Sequence, residues 1–213
     1  EFRRVLFRSG FDDEHDSWHL KNYHWGTSYN TTLQFKSGVT PNDISLIQDN
    51  DNLIISLSED QATATVVDFF KNSEHIYRIH NVMFEDGTTW NKTQVLEQIF
   101  TGGSGNDSFV GLNGYGDIMH GNAGDDTLDG RSGNDTLDGG SGNDTIHTGD
   151  GDDVIIFGYG DGHDTWHIYR ASTGRQNELR FKEDVLENDI QFQRLGDDLL
   201  LTLISSGDTA TAV

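Results

Sequence analysis

Seven aspartates, Asp107, Asp117, Asp126, Asp135, Asp144, Asp153 and Asp164, recur every nine to eleven residues through one stretch of the chain. Six of them follow a glycine by two places: Gly105, Gly124, Gly133, Gly142, Gly151 and Gly162. Gly114 instead stands three before Asp117, because Gly116 lengthens that loop. A carboxylate is a hard oxygen donor, and a calcium-sized cation gathers about six to eight oxygens, peptide carbonyls among them. Repeated tight turns that each offer an aspartate and several carbonyls therefore have the chemistry of a cation array. Magnesium demands stricter octahedral geometry and suits such an array less well.

The elements that would carry these aspartates follow from the residues between them. Copies of glycine, spacer, aspartate, spacer and apolar residue begin at Gly102, Gly111, Gly121, Gly130, Gly139 and Thr148, with a stretched last copy around Asp164. Reversing the chain this often requires backbone with positive φ, which glycine adopts cheaply. The residues after each aspartate, such as Ser-Phe-Val, Thr-Leu-Asp and Thr-Ile-His, predict very short strands. Alternation along those strands predicts that Phe109, Ile118, Leu128, Leu137, Ile146, Ile155 and Trp166 face one interior.

The clearest copy, Gly102 to Val110, reads Gly-Gly-Ser-Gly-Asn-Asp-Ser-Phe-Val. It closely resembles the calcium-binding nonapeptide of RTX (repeats-in-toxin) proteins. That resemblance implies an all-β fold, a parallel β-roll in which two nonapeptides complete one turn. Repeats n and n+2 would then stack, setting Asp126 over Asp144 and Asp135 over Asp153. The implied ligands are the seven aspartates and carbonyls of the turn glycines Gly105, Gly124, Gly133, Gly142 and Gly151, holding about five calcium ions. Glu14 replaces the turn glycine of a partial copy around Asp16, and Thr148 replaces the glycine at its repeat start.

Charge supports the same reading. Between Gly102 and His167 lie 18 of the 25 glycines and thirteen aspartates against one basic residue, Arg131, a net charge of −12. Seven interior side chains bury too little apolar surface to offset the entropy of ordering so long a backbone. Facing carboxylates repel until a cation lies between them, so metal binding and folding are expected as one event. The whole chain carries −22, which disfavours nucleic acid and anionic membrane as partners. It has no cysteine, hence no disulfide framework or thiolate zinc site, and no run of 18 apolar residues that would span a membrane.

Other constellations compete. His15, His19 and His24, and again His163 with His167, show zinc-like His-x-x-x-His spacing, but Asp164 rather than glutamate follows His163, and the setting is strand and turn. Asp125-Asp126 and Asp152-Asp153 could be acid/base pairs, yet their identical recurrence suits a ligand array better. Thr127, Thr136 and Thr145 should face outward, with Thr127 over Thr145, as a hydroxyl ladder or simply as residues that favour strands. Trp18 and Trp166 fall at interior positions. No catalytic residue is identified, and the segment is expected to be non-enzymatic.

The flanks show a larger repetition. Gly10 to Leu20 matches Gly158 to Ile168 at an offset of 148, and Leu33, Phe35, Asn42-Asp43-Ile44 and Leu53 recur at an offset of 146. Residues 31 to 100 resemble the haemolysin-type calcium-binding-related domain through Leu-Gln-Phe-Lys-Ser-Gly-Val-Thr-Pro-Asn-Asp-Ile and Val-Met-Phe-Glu-Asp-Gly-Thr-Thr-Trp. Strands are expected near 31–36, 44–48, 53–58, 63–70 and 75–85. A short helix should follow, capped by Asn91 with Gln94 and apolar at Val95, Leu96, Ile99 and Phe100, packing against the roll's end.

The expected organisation has five parts. Residues 1–9 read as a translated sequencing-library adapter, 10–30 as the end of a preceding β-roll, 31–100 as a mostly-β flanking module, 101–168 as the β-roll, and 169–213 as a truncated second flanking module. The family resemblance further implies a secreted or surface-exposed bacterial protein that leaves a calcium-poor cytoplasm unfolded and folds outside. An adhesin or extension module, and the export tail of a toxin or hydrolase, remain alternatives. An export machinery or a surface glycan would then engage regions beyond this segment.

Overall fold

The computed structural model describes residues 4–5, 15–18, 31–35, 38–58, 63–66, 69–70, 81–169 and 176–213, in two compact units, Glu1–Ile99 and Phe100–Val213. His19, His24 and Glu14, and the strands expected over 67–68 and 75–80, lie outside the described residues. So do the side chains of His15, Asp16 and Trp18.

The first unit holds strands β1 (Arg4–Val5), β2 (His15–Trp18), β3 (Thr31–Gln34), β4 (Ile44–Asp49), β5 (Asn52–Leu57), β6 (Thr63–Val66), β7 (Asn81–Met83) and β8 (Thr89–Asn91), then helix α1 (Lys92–Ile99). One sheet has the order β1-β3-β7-β8 and the other β2-β6-β5-β4. The polar turn between β4 and β5 closes with Asp49 opposite Asn52, and Asn50 takes the left-handed conformation at φ 52° that asparagine tolerates. In β5 alternate residues Leu53, Ile55 and Leu57 are buried, the period-2 pattern of a one-sided strand.

α1 starts where the sequence marks it. Asn91 Oδ1 accepts from the Gln94 amide at 3.1 Å, and Gln94 Oε1 accepts from the Asn91 amide at 3.0 Å, which satisfies two end donors reciprocally. Val95 and Ile99 are the buried residues of the helix, which packs beside β4, β7 and β8.

The second unit is built on eight short parallel strands, β9 (Ser108–Val110), β10 (Ile118–His120), β11 (Thr127–Asp129), β12 (Thr136–Asp138), β13 (Thr145–His147), β14 (Val154–Phe157), β15 (His163–His167) and β16 (Glu178–Phe181). Odd-numbered strands pair with odd and even with even, so two repeats complete one coil of a β-roll of about three turns. The antiparallel strands β17 (Ile190–Leu195), β18 (Asp198–Leu203) and β19 (Thr209–Ala212) extend the odd sheet, with β19 parallel to β15.

The roll interior contains Phe109, Leu128, Leu137, Ile146, Ile155 and Trp166, each at most 8% exposed. Ile118 does not join them: it is 40% exposed, and Met119 is fully buried in its stead. The register explains the correction. Ile118 pairs with Thr136 and Met119 with Leu137, so the inward position is two residues past the aspartate in every coil, and Ile118 occupies the outward threonine position.

Candidate metal centre

The aspartates form two columns along the roll. In one, the backbone N–H of Asp107 donates to Asp126 Oδ1 at 2.7 Å, that of Asp126 to Asp144 Oδ1 at 2.8 Å, and that of Asp144 to Asp164 Oδ1 at 3.0 Å. In the other, Asp117 donates to Asp135 Oδ1 at 2.8 Å, Asp135 to Asp153 Oδ1 at 3.0 Å, and Asp153 to Asn177 Oδ1 at 3.0 Å. Asp126 therefore stacks on Asp144 and Asp135 on Asp153. Asp117, Asp126, Asp135, Asp144, Asp153 and Asp164 are each at most 5% exposed, and Asp107, in the first coil, is half-buried.

Oδ1 of Asp126, Asp135, Asp144, Asp153 and Asp164 is thus used on backbone of the preceding coil, and Oδ2 decides what else the turns can do. Oδ2 of Asp107 accepts from Gly103 N–H at 2.8 Å and Oδ2 of Asp117 from Leu112 N–H at 2.6 Å. Oδ2 of Asp126, Asp135 and Asp144 is buried with no hydrogen-bond partner. These oxygens sit against the first glycine of their own repeat, Gly121, Gly130 and Gly139. A Cβ placed on Gly130 would lie 2.5 Å from Asp135 Oδ2 and 2.7 Å from the Thr148 carbonyl. One on Gly121 would run into Asp126 Oδ2 and the Gly139 carbonyl. A carboxylate oxygen and a carbonyl from the next coil converge there on a space that only glycine leaves open.

Buried anions without donors are costly, and the site's electrostatics register it. Burial, ahead of the repulsion between neighbouring carboxylates, raises Asp135 to about 7, Asp144 to about 6 and Asp164 to about 8, and shifts Asp126 upward. An oxygen-only donor set carrying excess negative charge fits a hard divalent cation. Among the described residues no three carboxylate or histidine side chains converge on one point, so carbonyls must supply much of any coordination shell.

The glycines two places before the aspartates serve two functions rather than one, and Gly105, in open space and outside the left-handed region, serves neither. Gly124, Gly133, Gly142 and Gly162 have φ of 122°, 144°, 145° and 93°, as the turn argument requires. Gly105 and Gly151 lie outside the left-handed region. Gly151 is needed for close approach instead, since a Cβ there would overlap the Gly133 carbonyl of the preceding coil. Sequence reasoning missed a second left-handed position at the second residue of the repeat, held by Asn122, Arg131, Gly140 and Gly149 at φ 71°, 62°, 91° and 78°. The recurrence of glycine and asparagine there was the available signal; Arg131 concealed it.

The competing constellations are used otherwise. His163 Nδ1 lies 2.9 Å from Thr209 Oγ1, and His167 stacks on His147 with ring centroids 4.4 Å apart. In each doubled carboxylate one member is inside and the other exposed: Asp126 and Asp153 belong to the columns, while Asp125 accepts from Asn143 N–H at 2.8 Å and Asp152 donates from its N–H to Asn134 Oδ1 at 3.1 Å. Thr127 pairs with Thr145 on the outer face. Trp166 is core, edge-on to Phe157 at 5.3 Å.

Two family models match parts of the chain. Residues 113–146 and 129–165 match the RTX calcium-binding nonapeptide repeat family, and residues 52–94 match the haemolysin-type calcium binding protein related domain. No curated protein sequence matches the chain. Among solved structures, the extracellular lipase LipA from Serratia marcescens superposes with a TM-score of 0.41 at 15% identity, over 94% of this chain and 35% of the lipase. The AlgE6R3 subunit of the Azotobacter vinelandii mannuronan C5-epimerase superposes with a TM-score of 0.37 at 20% identity, over 52% of this chain and 72% of that one. The chain thus spans about a third of the lipase's length.

Proposed function

We propose, from the match of residues 113–146 and 129–165 to the RTX calcium-binding nonapeptide repeat family, that calcium lodges between successive coils and drives folding of the segment outside the cell. The observation that carries this reading is the set of buried, partnerless Oδ2 atoms on Asp126, Asp135 and Asp144. Five stacked pairs, Asp107/Asp126, Asp126/Asp144, Asp144/Asp164, Asp117/Asp135 and Asp135/Asp153, correspond to about five ions. In each, the column aspartates would be joined by carbonyls of the turn residues, including Gly105, Gly124, Gly133, Gly142 and Gly151. A bound cation supplies the positive charge that the turns lack.

The chain's own residues do the rest. Oδ1 of Asp126, Asp135 and Asp144 holds the amide of the preceding coil and so aims Oδ2 at the glycine cleft. The interior row from Phe109 to Trp166 keeps water from the columns. With the charges unneutralised, the columns repel and the thin apolar core cannot hold them, so the segment stays unfolded in a calcium-poor cytoplasm. Far-ultraviolet circular dichroism during a calcium titration tests this. A disordered spectrum in chelator should become β-rich at millimolar calcium. A spectrum already β-rich in chelator and indifferent to calcium rejects coupled folding.

A further inference from the structure

The strands β17, β18 and β19 repeat β4, β5 and β6 at a constant offset of 146, with the same registers. Ile190 opposite Leu203 answers Ile44 opposite Leu57, and Leu201 opposite Ala210 answers Ile55 opposite Ala64. On the inward face of this three-stranded piece, Leu201 and Leu203 are 2% and 0% exposed, like Ile55 and Leu57 at 3% and 4%. The next two positions diverge. Leu46 and Leu53 are 7% and 1% exposed, whereas their counterparts Phe192 and Leu199 are 54% and 44% exposed.

The sequence on the face is equally apolar in the two places, so the difference lies in what covers it. In the first unit α1 packs beside β4 and buries its own Val95 and Ile99. The uncovered patch is continuous with a buried core at Leu201, and it is larger in side-chain volume than its covered counterpart, phenylalanine standing for leucine. A chain this acidic gains nothing from leaving such a patch in water.

We propose that the Phe192–Leu199 face is the seat of an amphipathic helix of α1's chemistry, presenting two branched apolar side chains four residues apart as Val95 and Ile99 do. The partner is that helix, joined to the same chain, and not a second copy of the face. The inference stands apart from calcium-driven folding, since it concerns strands outside the repeats.

The test compares the 213-residue chain, the chain extended after Val213 by a second copy of residues 68–100, and that extension carrying Val95→Asp and Ile99→Asp in the appended copy. All are measured in calcium by hydrogen exchange of β17 and β18 amides and by binding of a hydrophobic dye. The extension should slow exchange across β17 at least tenfold and abolish the dye signal, and the doubly substituted extension should behave like the unextended chain. Equal exchange with and without the extension overturns the proposal, as does protection that survives both aspartates. A dimer of the unextended chain that Phe192→Asp dissolves would assign the face to a second copy and overturn it too. The far-ultraviolet calcium response, read on the same samples, reports separately on the repeats.

Discussion

Replacing Asp135 by asparagine should have opposite effects with and without calcium. The substitution keeps the shape and an oxygen for the Asp117 amide, now held at 2.8 Å, but removes the charge and turns the partnerless Oδ2 into a donor. In chelator at neutral pH the wild-type fold must keep a carboxylate whose pKa burial has raised from 3.8 to about 7. That shift converts to about 4 kcal/mol in full, and relaxation of the turn with water entry around the charge reduces it to about 2 kcal/mol. Asp135→Asn should therefore stabilise the metal-free roll by about 2 kcal/mol. In calcium it damages the Asp117/Asp135 and Asp135/Asp153 pairs, each adding about 2.7 kcal/mol at a hundredfold excess over its dissociation constant, so about 5 kcal/mol of binding is lost against about 2 kcal/mol gained, a net loss of about 3 kcal/mol. Far-ultraviolet circular dichroism reads both signs, through osmolyte-driven folding in chelator, which the variant should complete at lower osmolyte, and through urea unfolding in millimolar calcium. Equal destabilisation in the two media, or an unchanged calcium midpoint, would refute the reasoning.

Acid should partly replace calcium. Asp135, Asp144 and Asp164 have folded values of about 7, 6 and 8 against 3.8. Between about pH 4 and 8 the metal-free fold thus holds more protons than the unfolded chain, and its stability falls as pH rises. β-Ellipticity in chelator should grow as pH is lowered from 8 to 4.5; a flat profile contradicts the buried-anion account. Gly142→Ala, which places a methyl group against the Gly124 carbonyl at φ 145°, should cost about 3 kcal/mol or more, while Gly103→Ala, with open space around it, should leave the calcium midpoint unchanged. Met119→Ala should cost about 2–5 kcal/mol and Ile118→Thr less than about 0.5 kcal/mol by thermal unfolding in calcium. The reverse ranking would mean the register assigned to β10 is wrong.

The period of the repeat made the roll legible, because a nine-residue cadence with one inward residue per strand leaves almost no other way to bury Leu128, Leu137 and Ile146. The aspartate columns followed from the same arithmetic. Ile118 was misassigned for a local reason: two adjacent apolar residues, Ile118 and Met119, follow Asp117, and hydrophobicity alone does not say which faces inward. Counting two places past the aspartate, as in the other repeats, selects Met119, and the pairing with Thr136 and Leu137 agrees. The split duties of the two carboxylate oxygens were not legible, since they depend on backbone amides arriving from the preceding coil. Nor was the different burial of Leu46 and Phe192, which occupy equivalent places in near-identical patterns and differ only in what lies over them.

The Oδ1 bonds all point the same way. Every one runs from a coil's amide to the carboxylate of the coil that follows it in sequence, and the second column ends on the neutral amide of Asn177. The stack therefore has a grammatical direction: a coil laid down on the N-terminal side finds its acceptor already standing, whereas one laid down on the C-terminal side leaves its own amide waiting for a successor. Growth from either end closes one rung per coil, but growth from the Asn177 end leaves an open carboxylate at the tip and growth from the Asp107 end an open amide.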